Sequence, residues 1–277
     1  MIDPDKREFT LPDGARMAYL DKGSGPVVLL VHGVCMTSAF FTRNVEALSR
    51  HHRVVAVDLR SHGDSPTSPT GNTVAQYARD LHDLMLGLDL HDVTGVGWSM
   101  GSFVWWDHLR QFGTDRLSRL AVVSQGPADL TRPDWPYGIA DPDVLGEYVD
   151  AMQSDFSGFF GEFVPEMFKD PVPDEDAALL LAEITKMEPN PGTVILADQT
   201  LRDYRGFLQG SGVPHLLVWG ADEKVVKLAS AEWLSGALAD AELHVFDDSG
   251  HCPMWEEPDR FNELLAGWIS RQLPSRA

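Results

Sequence analysis

Cysteine is scarce in this chain: Cys35 and Cys252 are the only two in 277 residues, and neither lies in a CxxC or comparable metal-type spacing. Two thiols cannot build a disulfide framework, so nothing demands an oxidising compartment. Positive charge is scarce as well, with 22 Lys and Arg against 42 Asp and Glu and a formal charge of -20. Such a surface repels phosphate backbones and anionic lipid, which removes nucleic acid and the membrane surface from the expected partners. The acidity itself reads as solubility rather than as a pull on cationic substrates. Long hydrophobic runs are missing too: no window reaches the roughly 18 apolar residues of a membrane span, and the start, MIDPDKREFTLPDG, is polar without an apolar leader segment. The expectation is a cytoplasmic enzyme whose partner is a small molecule.

What is present is the ordinary balance of a globular protein, 43% hydrophobic and 23% charged residues, which at this length supports one sizeable core. Short β-branched runs alternate with helical stretches. VVLLV at 27–31, RVVAVDL at 53–59, DVTGVGW at 92–98 and a run at 117–124 read as strands, with helices expected near 41–50, 73–90 and 99–112. The rhythm resumes with HLLVWG at 215–220 and AELHVFDD at 241–248. This alternation favours a parallel sheet covered by helices on both faces. EFTLPDG and ARMAYLDKG look instead like an antiparallel hairpin turning at Asp13-Gly14, which makes the whole a mixed sheet.

Between the fourth and fifth of these parallel runs the strand rhythm disappears and helical stretches take over, broken by Pro133, Pro136, Pro142, Pro165, Pro171, Pro173, Pro189 and Pro191. The expected division is a core of residues 1–126 and 213–277 with a helical cap, or lid, inserted at 127–212. Within the cap Phe156, Phe159, Phe160, Phe163, Met167 and Phe168 recur near helical spacing. They suit an apolar lid over a substrate pocket or the packing of cap against core.

The strongest motif is Gly97-Trp98-Ser99-Met100-Gly101, a G-x-S-x-G pattern between an expected strand and an expected helix. A serine on so sharp a turn is held in a strained conformation with its hydroxyl raised above the sheet, and small flanking residues let strand and helix approach. Serine is a weak nucleophile at its own pKa and needs a base, usually a histidine. Of ten histidines, His251 stands out, because Asp248-Ser249-Gly250-His251 follows the last expected strand at the carboxyl edge of the sheet. A third group must hold the imidazole in the right tautomer. Asp222, directly after the strand that ends Trp219-Gly220-Ala221, completes the order Ser, Asp, His; Asp129, beyond the preceding strand, is the alternative acid. The oxyanion would be met by the backbone N–H groups of Met100, next to the nucleophile, and Val34, in the loop after VVLLV.

Together HG at 32–33, DLRSHGDS at 58–65, GWSMG at 97–101, GAD at 220–222 and SGH at 249–251 resemble the α/β-hydrolase superfamily over nearly the whole chain. The likeness is greatest to its small esterases, lactonases and cofactor-free haloperoxidase-type enzymes, which share Asp-x-Arg-x-x-Gly-x-Ser, here Asp58, Arg60, Gly63 and Ser65. The resemblance implies that this segment is a structural turn beside the site. Val34 departs from the haloperoxidase pattern, where an aromatic residue is usual, and this weighs against perhydrolysis. Ser99 at the elbow argues against dehalogenases and epoxide hydrolases, which place an aspartate there.

The function expected is hydrolysis of a carboxylic ester or lactone through an acyl-enzyme on Ser99, with no metal or organic cofactor. His32, Trp98, Trp135, Phe159 and Phe160 are the expected pocket residues, suited to a moderately apolar substrate. C–C bond hydrolases and hydroxynitrile lyases use the same triad and form the alternative class; a ligand-binding receptor of the same fold is a third.

Overall fold

The structure is a computed structural model describing residues 6–272. Residues 1–5 and 273–277 of the expected core, including the first residues of the polar start, lie outside the described residues. The chain opens with the expected hairpin. Strands β1 (Lys6–Thr10) and β2 (Arg16–Gly23) pair antiparallel from Lys6–Leu20 to Thr10–Arg16, and Gly14 takes φ +86° in the turn. Then follow β3 (Val27–Val31), α1 (Thr42–Leu48), β4 (Arg53–Val57), α2 (Val74–Gly87), β5 (Val93–Trp98), α3 (Met100–Phe112) and β6 (Leu117–Val123).

Five helices come next: α4 (Pro142–Ser154), α5 (Phe156–Glu166), α6 (Asp174–Ile184), α7 (Pro189–Thr200) and α8 (Arg205–Leu208). Pro142 and Pro189 open α4 and α7, where the missing N–H costs nothing. The chain ends with β7 (His215–Gly220), α9 (Leu228–Ala237), β8 (Ala241–Phe246), α10 (Pro253–Glu256) and α11 (Pro258–Ile269). Among the described residues no helix is long and apolar enough to cross a membrane.

Among the described residues one sheet forms, in the order β1-β2-β4-β3-β5-β6-β7-β8. The pairs β1–β2 and β2–β4 are antiparallel and the others parallel. Every residue of β5, β6 and β7 is buried, as strands covered on both faces must be. Helix α2 shows how the cover is built: its buried Val74, Tyr77, Ala78, Leu81, Leu84 and Met85 recur at three- and four-residue steps.

The turn after β4 is polar and buried. The Asp58 carboxylate accepts N–H bonds from Ser38 (2.8 Å) and Asp64 (2.9 Å) and pairs with Lys6. A Cβ at Gly63, where φ is +52°, would stand 2.6 Å from an Asp58 carboxylate oxygen, so only glycine fits. Ser65 Oγ accepts the Ala18 N–H and donates to the Asp58 carbonyl. Arg60 and Asp80, both buried, make a two-pronged pair with both bonds at 2.8 Å. The motif is thus a structural turn that ties the hairpin, β4 and α2 together.

Two outcomes follow for stability. Asp80→Ala removes the buried partner of Arg60 and leaves it only the half-exposed Asp13 at 2.8 Å and Ser68, so it costs roughly 3 kcal/mol, the lower end for a broken buried pair, in urea unfolding, whereas Arg60→Met with Asp80→Leu restores most of the loss. Burial also lowers His32 and His215 from 6.5 to about 4 and His108 to about 3, the last with help from His82. These rings are neutral in the folded chain, while the unfolded chain takes up protons below about 6.5. Unfolding free energy therefore falls as pH drops from about 6.5 towards 4; a melting temperature that is flat over this interval would contradict the assignment.

Candidate active site

Ser99 sits between the end of β5 and the first residue of α3 with φ 51° and ψ -126°, a region that residues with a side chain rarely occupy and that costs about 1–3 kcal/mol. The surroundings hold it there. Its N–H donates to the Val123 carbonyl at 2.9 Å, its carbonyl accepts the Ser102 N–H at 2.9 Å, and Ser102 Oγ donates to the Gly97 carbonyl at 2.7 Å. A Cβ at Gly101 would stand 2.1 Å from the Val31 carbonyl oxygen, and one at Gly97 would stand 2.5 Å from the Ser102 nitrogen. Helix α3 can therefore lie this close to the sheet only with glycine at both positions.

His251 lies in the loop between β8 and α10, again held by its backbone. Its N–H donates to the Met167 carbonyl at 2.7 Å and its carbonyl accepts the Trp98 indole N–H at 2.8 Å. The ring Nδ1 faces Glu223 Oε2 at 2.9 Å, with both side chains buried. The other carboxylate oxygen accepts the N–H groups of Val225 (2.8 Å) and Val226 (3.1 Å). Burial alone would raise the Glu223 carboxyl, but the nearby His251 and these hydrogen bonds hold it below the usual value. An acceptor-only carboxylate at Nδ1 places the proton on that nitrogen and leaves Nε2 bare as the basic atom.

Asp222, the acid expected from the sequence, does not reach the histidine. Its side chain is 52% exposed and pairs with Lys169 at 3.4 Å. Its own N–H is turned to the Ser249 carbonyl at 3.1 Å, so backbone rather than carboxylate meets the histidine loop. The next residue, with one more methylene, fills the place. Asp129 is not the partner either: its carboxylate accepts the amide N–H groups of Gln125 (2.7 Å) and Gln199 (3.1 Å).

Ser99 and His251 line one cavity of about 300 Å³, together with Val34, Trp98, Phe159 and Phe160. Phe163 and Met167 also face it, while Phe156 and Phe168 are buried elsewhere, so the phenylalanine cluster both lines the pocket and packs the interior. Cys35 borders the cavity with its thiol pushed up by burial; Cys252 does not border it. Two expected pocket residues are displaced. Trp135 is buried against Tyr137 and Trp233, donating its indole N–H to the Ala128 carbonyl. His32 is fully buried beneath the loop of residues 33–35.

That position gives His32 a different task. The Leu59 N–H donates to its Nε2 at 3.0 Å, so Nδ1 carries the proton, which it donates to the Gly33 carbonyl at 2.8 Å. His62 behaves alike, accepting the Cys35 N–H at Nε2 and donating from Nδ1 to the Arg60 carbonyl. Burial holds both rings neutral. Between them they pin residues 33–35 over the serine: a Cβ at Gly33 would stand 3.2 Å from Ser99 Cβ. The Val34 N–H donates to nothing among the described residues, and Met100, the first residue of α3, has no acceptor within its helix. Among the described residues no three His, Cys, Asp or Glu side chains come together as a metal site.

Known proteins share this architecture. The alpha/beta hydrolase family model matches residues 28–264. The chain is 30% identical over 259 residues to the pimeloyl-acyl-carrier-protein methyl ester esterase of Vibrio cholerae, covering 90% of this chain and 96% of that one. Among solved structures, an esterase from Exiguobacterium antarcticum matches with TM-score 0.92 at 24% identity over 95% of this chain and 99% of that one. An enol-lactonase from Burkholderia xenovorans LB400 matches with TM-score 0.83 at 21% identity, over 96% and 100%. With a model match that spans most of its length over this sheet order and serine elbow, the chain belongs to the alpha/beta hydrolase family.

Proposed function

We propose that this enzyme hydrolyses carboxylic esters, lactones included, through an acyl-enzyme on Ser99, with His251 as general base and Glu223 as the acid that orients it. The observation that carries the reading is the Glu223–His251 bond at 2.9 Å beside a cavity lined by both His251 and the strained Ser99. The methyl ester esterase relative, similar over nearly its whole length, supports ester chemistry.

In this mechanism Ser99 Oγ attacks the substrate carbonyl while His251 Nε2 takes its proton. The imidazolium is stabilised by the buried Glu223 carboxylate. The Val34 and Met100 N–H groups point their dipoles at the oxyanion, aided by the amino end of α3. Collapse expels the alcohol, which takes its proton from His251; in a lactone that hydroxyl stays on the acyl chain. Water, activated by the same ring, then releases the acid and restores Ser99.

Phe159, Phe160 and Trp98 make the cavity wall largely apolar, which suits a moderately apolar acyl or ring group. Residues 127–212, lying between β6 and β7, serve in this reading as the cap whose helices α4, α5 and α7 contribute lining residues.

A rate panel of short and medium p-nitrophenyl esters and simple lactones tests the proposal. Ser99→Ala abolishes turnover, with a loss on the order of 10⁴-fold or more. Glu223→Gln lowers kcat by on the order of 10²–10⁴-fold, because an amide no longer enforces the tautomer, whereas Asp222→Asn stays within about threefold of wild type. Equal losses in the two acid variants, or a larger one at Asp222, would remove Glu223 from the mechanism. No turnover in wild type redirects the chemistry to C–C cleavage.

A further inference from the structure

The catalytic groups leave one buried polar cluster of the cavity unused. Gln125 follows β6, Gln199 lies in the last turn of α7, and both line the cavity while being 1% and 2% exposed overall. Behind them stands Asp129, itself 1% exposed. Each of its carboxylate oxygens accepts one amide N–H, Oδ1 from Gln125 at 2.7 Å and Oδ2 from Gln199 at 3.1 Å. The second Gln125 N–H donates to the Gly126 carbonyl at 3.0 Å. The Asp129 backbone is anchored as well, its carbonyl accepting the N–H groups of Ile139 (2.7 Å) and Ala140 (3.3 Å).

This arrangement fixes the sense of the Gln125 amide. A backbone carbonyl can only accept, so the bond to Gly126 draws the NH₂ end of Gln125 inward, beside Asp129, and turns its C=O end away. With both N–H groups of Gln125 bonded on the inner side, its Oε1 accepts from no group among the described residues. The Gln199 Oε1 is likewise without a partner and buried. A buried acceptor left unpaired, as Gln199 Oε1 is, is destabilising unless a ligand supplies the missing donor. The cluster is also dear to maintain: burial pushes the Asp129 carboxyl up to about 7 against the two amide bonds and the charge of His251. A packed apolar trio would hold this wall without that cost.

We propose that Gln125, oriented by Asp129, is a specificity-determining acceptor that selects esters or lactones carrying a neutral hydrogen-bond donor, a hydroxyl group, on the part of the substrate that reaches the wall formed by Gln125 and Gln199. The inference rests on the ester-hydrolase reading and adds the substrate class to it. Gln125 contacts substrate; Asp129 is a positioning residue that acts through the two amides. Apolar contacts with Phe159 and Phe160 supply binding that any ester of suitable size enjoys, and the amide acceptor discriminates among such esters. A site built to bond a hydroxyl rejects the analogue lacking it far more strongly than an apolar pocket rejects a missing methylene.

The test compares kcat/KM in matched pairs: methyl hexanoate against its β-hydroxy and ω-hydroxy counterparts, and propyl hexanoate against hydroxyethyl hexanoate, so that either side of the ester is sampled. Wild type is expected to favour at least one hydroxy ester over its parent by roughly tenfold or more. In Gln125→Met that ratio collapses towards one, the loss appearing as a raised KM for the hydroxy ester rather than a lowered kcat. Asp129→Asn, which offers a single acceptor atom, lowers the ratio in the same KM-weighted way. Should Gln125→Met fail to fold, Gln125→Asn withdraws the carbonyl by one methylene and reads the same ratio. A wild type indifferent to the hydroxyl in every pair, or a preference that survives both Gln125 variants, overturns the subsite. Absence of turnover on every ester, parent and hydroxy alike, is a different failure: it removes the ester-hydrolase reading, and this substrate class with it.

Discussion

Everything at the site depends on how closely α3 approaches the sheet. Gly101 faces the Val31 carbonyl and Gly97 faces the Ser102 amide at distances no side chain tolerates. The helix therefore starts directly above the carboxyl end of β5, and Ser99 is forced into a positive-φ conformation at the junction. The strain is sustained because the bonds of Ser99 to Val123 and Ser102 over-determine the turn. One steric fact thus raises the hydroxyl over the sheet edge, aims free helix N–H groups at it and places the Gly33 loop against it.

Around this elbow the protein uses buried polar groups whose protonation is set by their neighbours. His32 and His62 stay neutral and act as fixed donor–acceptor pairs that pin the loop carrying Val34. Asp58 stays bonded to N–H groups and Lys6, which locks the next turn against β2. Glu223 stays ionised among two valine N–H groups and His251. The same chemistry appears in Asp129, where both donors are neutral amides and the carboxyl is pushed up instead. In a low-dielectric interior, the partner decides whether a carboxyl serves as a fixed anion or as a tuned one.

The fold was legible because its signals are local. Buried parallel strands read as short apolar runs, and the strands expected at 27–31 and 215–220 match β3 and β7 residue for residue. The elbow was legible because the motif encodes its own sterics. What escaped was side-chain direction in loops. Asp222 and Glu223 are adjacent carboxylates, and chain order cannot tell which faces inward; the clue available was only that Glu223 has the longer reach. Trp135 and His32 suit a pocket by residue type, yet their N–H groups are committed to the Ala128 and Gly33 carbonyls and hold them in the interior. Phe159 and Phe160 do face the cavity, but their spacing on α5 alone did not separate them from Phe156, which packs inward. The pairing of Gln125 and Gln199 through Asp129 spans 70 residues between Asp129 and Gln199 and had no local signature.

The central claim is that Ser99 carries the acyl group. It is tested most directly by acid-quenching the enzyme during turnover of a p-nitrophenyl ester and locating the adduct by peptide mass spectrometry. One acyl group is expected, on the peptide and residue of Ser99, and none in Ser99→Ala. Turnover without any covalent adduct under conditions where deacylation is slowed, or an adduct on Cys35 at the cavity wall instead, would contradict it.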